Sequence, residues 1–169
     1  MRTHRRSRHR LSGSKIKSLN ALKKLVKELK KEGRKVVFTN GCFDILHYGH
    51  AKYLQDAKNA GDILVVGVNS DTSVRKIKGK HRPVVGEKSR LKLLAALESV
   101  DYLTLFKEAT PLKLIQEVKP DILIKGADWN KSNIVGNDFV LGYGGKVQTV
   151  RLVKGLSTTN LIKKIARKR

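Results

Sequence analysis

The sequence predicts an α/β fold with a parallel sheet, and three observations predict it. Five short apolar runs rich in Val, Ile and Leu recur along the 169 residues, as strands buried on both faces would. Amphipathic stretches of helical period separate them, and the connections are short, so strands and helices alternate. Ligands of such a sheet bind at the carboxyl ends of its strands.

Ser18 caps a first helix whose Leu19, Leu22, Leu25, Val26 and Leu29 share one stripe, with lysines outside it and Gly33 closing it. Lys35 to Thr39 is β-branched and aromatic enough for a buried strand. Asn40-Gly41 turns out of it, and a helix runs from His47 to Ala60, where Gly61 ends it. Asp62 to Val68 is a second buried strand. Thr72 to Val85 reads as a basic loop, with Arg75, Lys76, Lys78, Lys80 and Arg82 crowded together and able to close over a triphosphate. The helix from Glu87 to about Leu97 turns Leu91, Leu94, Ala95 and Leu97 to the core and sets Arg90 near its start.

Tyr102 to Phe106 is the third strand. Thr110 caps a short helix with Pro111 at its first position, running to Val118. Asp121 to Lys125 is the fourth strand, and Gly126 to Trp129 turns out of it. A helix is expected over Asn133 to Tyr143, stopped by Gly144-Gly145, then a fifth strand over Lys146 to Val153. Ser157, Thr158 and Thr159 open a last helix that runs into Lys163 and Lys164.

Length suits one domain over residues 16–169, after a basic tail over residues 1–15. The tail carries six Lys or Arg and no acid, and no apolar segment marks it as a secretory signal. Residues 163–169 carry five more basic side chains without an acid, yet the formal charge of +23 leaves the body basic in its own right. Such a surface suits phosphates or nucleic acid. No apolar run approaches a membrane span. One cysteine, Cys42, cannot build a disulfide framework and fits a reducing, cytoplasmic setting; it reads as packed behind the turn rather than as a nucleophile.

Two anion sites stand out. His47 and His50, three residues apart at a helix start, project from nearly one face, with Gly49 keeping the approach open. Free backbone NH groups and the positive end of the helix dipole add to them. The hydroxyls of Ser157 to Thr159 stand at a second helix start, where ordinary capping explains them equally well. A zinc site through His47 and His50 lacks apparent third and fourth ligands, and HExxH is absent. GxGxxG and GxxxxGK[ST] are absent too, so neither familiar nucleotide turn is used.

The string TNGCFDILHYGH resembles the HxGH signature of the nucleotidyltransferase superfamily. From about Lys35 to Ile165 the chain resembles most closely the sugar-phosphate adenylyltransferases that make ADP-activated heptose for lipopolysaccharide or S-layer glycans, here without the sugar kinase often fused to them. VNSDTSVRKIKGKHRPV, KPDILIKGADW, GGKV and GLSTTNLIKKI carry the likeness beyond the histidines. The resemblance implies a Rossmann-like five-stranded parallel sheet with helices on both faces, ATP and a sugar 1-phosphate as substrates, Mg2+ as cofactor and a homodimer. It implies that Thr39, Asn40, Gly41 and Phe43 form the nucleotide turn, and that His47 and His50 contact its phosphates. It places Lys78 and Arg90 at the triphosphate, Ser157, Thr158 and Thr159 at a second phosphate loop, and Asp128 and Trp129 at the nucleotide pocket. Superfamily relatives often carry ISSTxxR, and Ile162 stands here where that arginine falls.

Two rivals remain. A cytidylyltransferase acting on glycerol 3-phosphate shares the GADW turn. A nucleic-acid-binding module would use the basic surface, but no aromatic stacking motif or recognised nucleic-acid fold accompanies it.

Overall fold

The computed structural model describes residues 15–167, so the expected tail over residues 1–15 lies outside the described part except for Lys15. Lys15 already belongs to the body. Its ammonium donates to Leu97 O at 2.9 Å, Leu103 N donates to its carbonyl, and Ile16 bridges Leu103 in parallel.

Five strands form the sheet: β1 (Val36–Gly41), β2 (Ile63–Asn69), β3 (Tyr102–Phe106), β4 (Ile122–Gly126) and β5 (Lys146–Val150). They pair in parallel in the order β3-β2-β1-β4-β5. Successive residues alternate between the two faces. Val36, Phe38, Val65 and Leu123 face one layer of core, while Val37, Leu64, Val66 and Ile124 face the other. Fully burying such side chains contributes about 1.5–3 kcal/mol each.

Helices α1 (Leu19–Lys31), α5 (Leu112–Val118) and α6 (Asn137–Gly142) cover one face through Leu22, Val26, Leu114, Ile115 and Val140. Helices α2 (Tyr48–Lys58) and α4 (Glu87–Ala95) cover the other through Tyr53, Leu54, Ala57, Leu94 and Ala95. The sheet is thus sandwiched as expected. Strand order runs outward from β1 to β3, then returns to β4 and β5, so a crevice opens at the carboxyl ends of β1 and β4.

Four local expectations differ. The basic stretch expected as a loop begins with helix α3 (Asp71–Lys78), capped by Ser70, whose hydroxyl accepts from Ser73 N. Val74 anchors it in the interior, and Gly79 at φ 95° ends it. Pro111 sits at the cap of α5 rather than inside its first turn. The helix expected from Asn133 splits into a 3-10 turn, Lys131–Asn133, and α6, because Gly136 at φ 89° cannot continue a helix between them. β5 stops at Val150 and is half-exposed, and the last helix, α7 (Thr158–Ala166), buries no side chain. Among the described residues no helix is long and apolar enough to cross a membrane.

Candidate active site

A cavity of about 570 Å³ opens at the crevice and gathers all four stretches that the sequence singled out. Asn40, Gly41, Phe43, His47 and His50 line it from the β1–α2 side. Lys78 comes from the end of α3, Asp128 and Trp129 from the turn after β4, and Ser157, Thr158 and Thr159 from the start of α7. Thr39 and Arg90 are not on its wall.

The histidine turn is shaped by its neighbours. Phe43 takes a left-handed φ of 47°, uncommon for a bulky residue, and its ring meets His50 edge-on with centroids 5.4 Å apart. His47 is the cap residue of α2, extended at φ −142°, so the helix begins one residue later than expected. Its ring stacks on that of His50 at 3.9 Å, only 20° from parallel. A Cβ at position 49 would stand 3.0 Å from the His47 ring, which is why glycine separates the two.

His47 Nδ1 and Nε2 and His50 Nδ1 are buried without a hydrogen-bond partner among the described residues. Burial holds His47 below the ordinary imidazole range. Burial, then the neighbouring His47, bring His50 down to about 4. Both rings are neutral at pH 7, each with one NH donor to offer. Buried polar atoms left open on a cavity wall await a ligand.

The start of α7 lies against the start of α2. Leu156 Cβ would come 3.4 Å from a Cβ at Gly49. Ser157 caps α7, its hydroxyl accepting from Asn160 N at 3.1 Å, and the first NH groups of the helix remain for an anion. Two positive helix ends therefore meet at one cavity. Lys163 and Lys164, which follow Ile162, lie with Asn160 and Arg167 on a separate surface hollow.

The basic segment is pinned rather than free. Asp44, 1% exposed, accepts from Val84 N and Val85 N at 2.8 Å and from Arg82 Nε. Burial alone would raise its carboxyl, but the bonds from Val85, Val84 and Arg82 outweigh that and lower it. Lys78 keeps its place on the wall.

Arg90, expected at the triphosphate, lies behind the cavity wall. Its guanidinium is 1% exposed and donates to Val85 O at 2.9 Å, Cys42 O at 2.6 Å, Asn69 O at 2.8 Å and Asp71 Oδ1 at 2.8 Å. It ties the ends of β1 and β2 to the starts of α3 and α4, and so positions the turn from behind. Thr39 is buried as well, its hydroxyl 2.6 Å from Tyr53 OH. Both are held by protein partners.

Two charged wall residues were missed by sequence reasoning. Asp44 breaks the apolar run Phe43 to Leu46, and Lys125 ends the apolar run of β4; a charge terminating such a run was the available signal. The Lys125 ammonium donates to Asn40 Oδ1 and, at 3.2 Å, to Asn40 O. Burial pushes the Cys42 thiol up, against the nearby Lys78, Arg90 and Arg82, so it is a protonated wall residue and no activated nucleophile. Among the described residues no group of three or more His, Cys, Asp or Glu is placed to hold a metal ion.

A family described as cytidylyltransferase-like matches residues 38–164. The bifunctional protein HldE of Geobacter metallireducens is 52% identical over 159 residues, 94% of this chain, and that of Geotalea uraniireducens is 53% identical over 157 residues, 93% of this chain. The chain spans 32% of the length of each of these curated relatives. A lipopolysaccharide core biosynthesis protein from Thermoplasma volcanium superposes with a TM-score of 0.60 at 39% identity, covering 72% of this chain and 98% of that one. Pantoate-β-alanine ligase from Francisella tularensis superposes at 0.61 over 91% of this chain and 79% of that one; at 17% identity the likeness is one of fold alone.

Proposed function

Because the chain belongs to the cytidylyltransferase-like family, we propose that it is a nucleotidyltransferase that moves AMP from ATP to a sugar 1-phosphate, D-glycero-manno-heptose 1-phosphate, releasing pyrophosphate and ADP-heptose. The observation that carries the transfer is the stacked, unpartnered histidine pair at the start of α2, facing a cavity shared with the start of α7. The heptose assignment is supported by the sequence resemblance, by relatives named bifunctional protein HldE and by a structural relative named for lipopolysaccharide core biosynthesis.

The chemistry follows from charge. An oxygen of the sugar 1-phosphate attacks the α-phosphorus in line; the new P–O bond forms as the bond to pyrophosphate breaks. The nucleophile is already an anion, so no general base is needed. What the protein must do is bring two repelling anions together and hold the charge gathering on the phosphate oxygens. In this reading the neutral imidazoles of His47 and His50 donate to those oxygens, Lys78 adds a cation, and the NH groups of Thr158 and Thr159 grip the terminal phosphates. Phe43, Asp128 and Trp129 shape the base pocket.

Mg2+ belongs to the substrate side of this scheme. The Asp44 carboxylate is spent on Val84, Val85 and Arg82, leaving Asp128 as the other carboxylate on the wall, so the residues do not fit a cage for the ion. Bound to the triphosphate, such an ion would supply charge neutralisation there. The same reading sets the protein in the cytoplasm, where its substrates are, as a homodimer without nucleic acid.

The description of the family favours CTP in a second reading, and the GADW turn, shared with cytidylyltransferases acting on glycerol 3-phosphate, suggests that acceptor. Pyrophosphate release, measured with ATP and CTP against each phosphate acceptor in the presence of Mg2+, separates the two. Release only from ATP with heptose 1-phosphate is the expected result; release from CTP with glycerol 3-phosphate keeps the mechanism and replaces the substrates, and no release with any pair defeats the proposal.

A further inference from the structure

Lys125, near the carboxyl end of β4, has no role in the scheme above. It forms no ion pair among the described residues. Among the described residues its three ammonium hydrogens meet two protein acceptors, Asn40 O and Asn40 Oδ1, while the side chain lines the cavity. A largely buried cation without an ion-paired carboxylate is costly to keep unless something completes it. The bond to Oδ1 has a second effect. An ammonium can only donate, so the Asn40 amide must present its oxygen to Lys125 and its NH2 elsewhere, and that NH2 has no protein partner among the described residues.

We propose that Lys125 contacts substrate directly: its ammonium, with the Asn40 amide that it orients, forms a donor pair for a phosphoryl oxygen at the crevice between β1 and β4. The inference rests on the nucleotidyl-transfer reading and deepens it, adding a charge on the sheet itself to those on the two helix starts. The phosphoryl group belongs either to the nucleotide or to the sugar 1-phosphate, and the two are tested apart.

The lysine carries its own signature. Burial lowers it to about 8, against the pull of Cys42 and Asp128. The titratable and charged groups that share its wall are Cys42 and Asp44 after β1, His47 at the cap of α2, His50 and Tyr53 on α2, Lys78 and Arg82 of the basic segment, and Asp128 beyond β4. Burial moves both histidines down, the Cys42 thiol up, and Tyr53 up to about 12. A phosphoryl oxygen stabilises the ammonium, so binding takes up a proton. Affinity is full below the free value and falls as pH rises through it.

Calorimetric titration of the full chain with ATP alone and with the sugar 1-phosphate alone, each in two buffers of different ionisation enthalpy, reads that uptake. Near pH 8.5 the wild type is expected to take up about half a proton with one of the two ligands. Lys125→Met is expected to bind that ligand about tenfold or more weaker at neutral pH and to lose the uptake. Which ligand responds assigns the phosphoryl group. Unchanged affinity and unchanged pH dependence for both ligands in Lys125→Met overturn the proposal. If that variant does not fold, absence of uptake by the wild type with both ligands overturns it equally. Should CTP bind in place of ATP, the adenosine assignment fails, and the lysine is read by the same comparison with CTP.

Discussion

The start of α2 hangs on the interior of the sheet, and the start of α7 hangs on its edge. Behind the first, Tyr53, Leu54 and Ala57 pack into the core, and the preceding turn is braced by Arg90 and Asp44. The second follows β5, a half-exposed edge strand paired with β4, and α7 itself buries no side chain. Both present helix NH groups to the same cavity. In the proposed transfer the difference suits the two ends: donors to a developing charge gain from being fixed in advance, whereas a grip on the terminal phosphates must also let pyrophosphate go.

The largest effect expected from breaking the rigid side comes from Arg90→Met. It strands the carbonyls of Cys42, Asn69 and Val85 and the carboxylate of Asp71. Removing one partner of such a buried network costs about 3–5 kcal/mol. In a domain of this size that lowers Tm by about 6–20 °C, read from a thermal melt. His50→Ala sharpens the contrast between brace and donor. It touches no protein hydrogen bond of its ring, so Tm should move little, while turnover falls roughly a hundredfold or more through the loss of about 2.7–4 kcal/mol of barrier lowering. Near-normal pyrophosphate release by His50→Ala would remove the histidine pair from the chemistry.

The rigid side should also be acid-sensitive. His50 is held at about 4 in the folded chain, chiefly by burial, against an ordinary 6.5. Between those values the unfolded chain binds the extra proton, so the contribution to stability is complete above about 6.5 and is lost as pH falls towards 4. The loss is on the order of 1 kcal/mol by pH 5, once solvent access is allowed for. Melts between about pH 7 and 5 check it: wild-type Tm should fall more steeply than that of His47→Gln/His50→Gln. Equal slopes would mean that the rings are solvated.

The same contrast decides what could be read from the sequence. The interior side was legible because burial writes itself as periodicity: Lys35 to Thr39, Asp62 to Val68 and Asp121 to Lys125 carry unbroken apolar runs. Every stretch placed at a strand end reaches the cavity. α3 was hidden because Val74 and Ile77 are its only apolar residues beside a crowd of basic ones, although Ser70 and Asp71 gave cap and first-turn signals. Arg90 lies behind the cavity wall and Lys125 lies on it. A cation near a helix start looks like a phosphate ligand, and only the fold reveals that one guanidinium faces four protein acceptors while a lysine inside a strand faces the cavity.

The smallest effect should come from the edge, and it should be local. Ser157→Ala removes the oxygen that accepts from Asn160 N, a cap worth about 1 kcal/mol. In a helix packed like α2 that loss would appear in global stability. In α7, with nine residues and none buried, it should instead fray the first turn, because no core contact is coupled to it. Fraying spoils the NH groups that grip phosphate, so nucleotide affinity should weaken about fivefold while Tm stays within a degree or so of wild type. Nucleotide titration and a melt on the same sample read both numbers. A fall in Tm approaching that of Arg90→Met would show that α7 is bound into the cooperative core after all, and a helix start so bound could not loosen to release product without unsettling the histidine side.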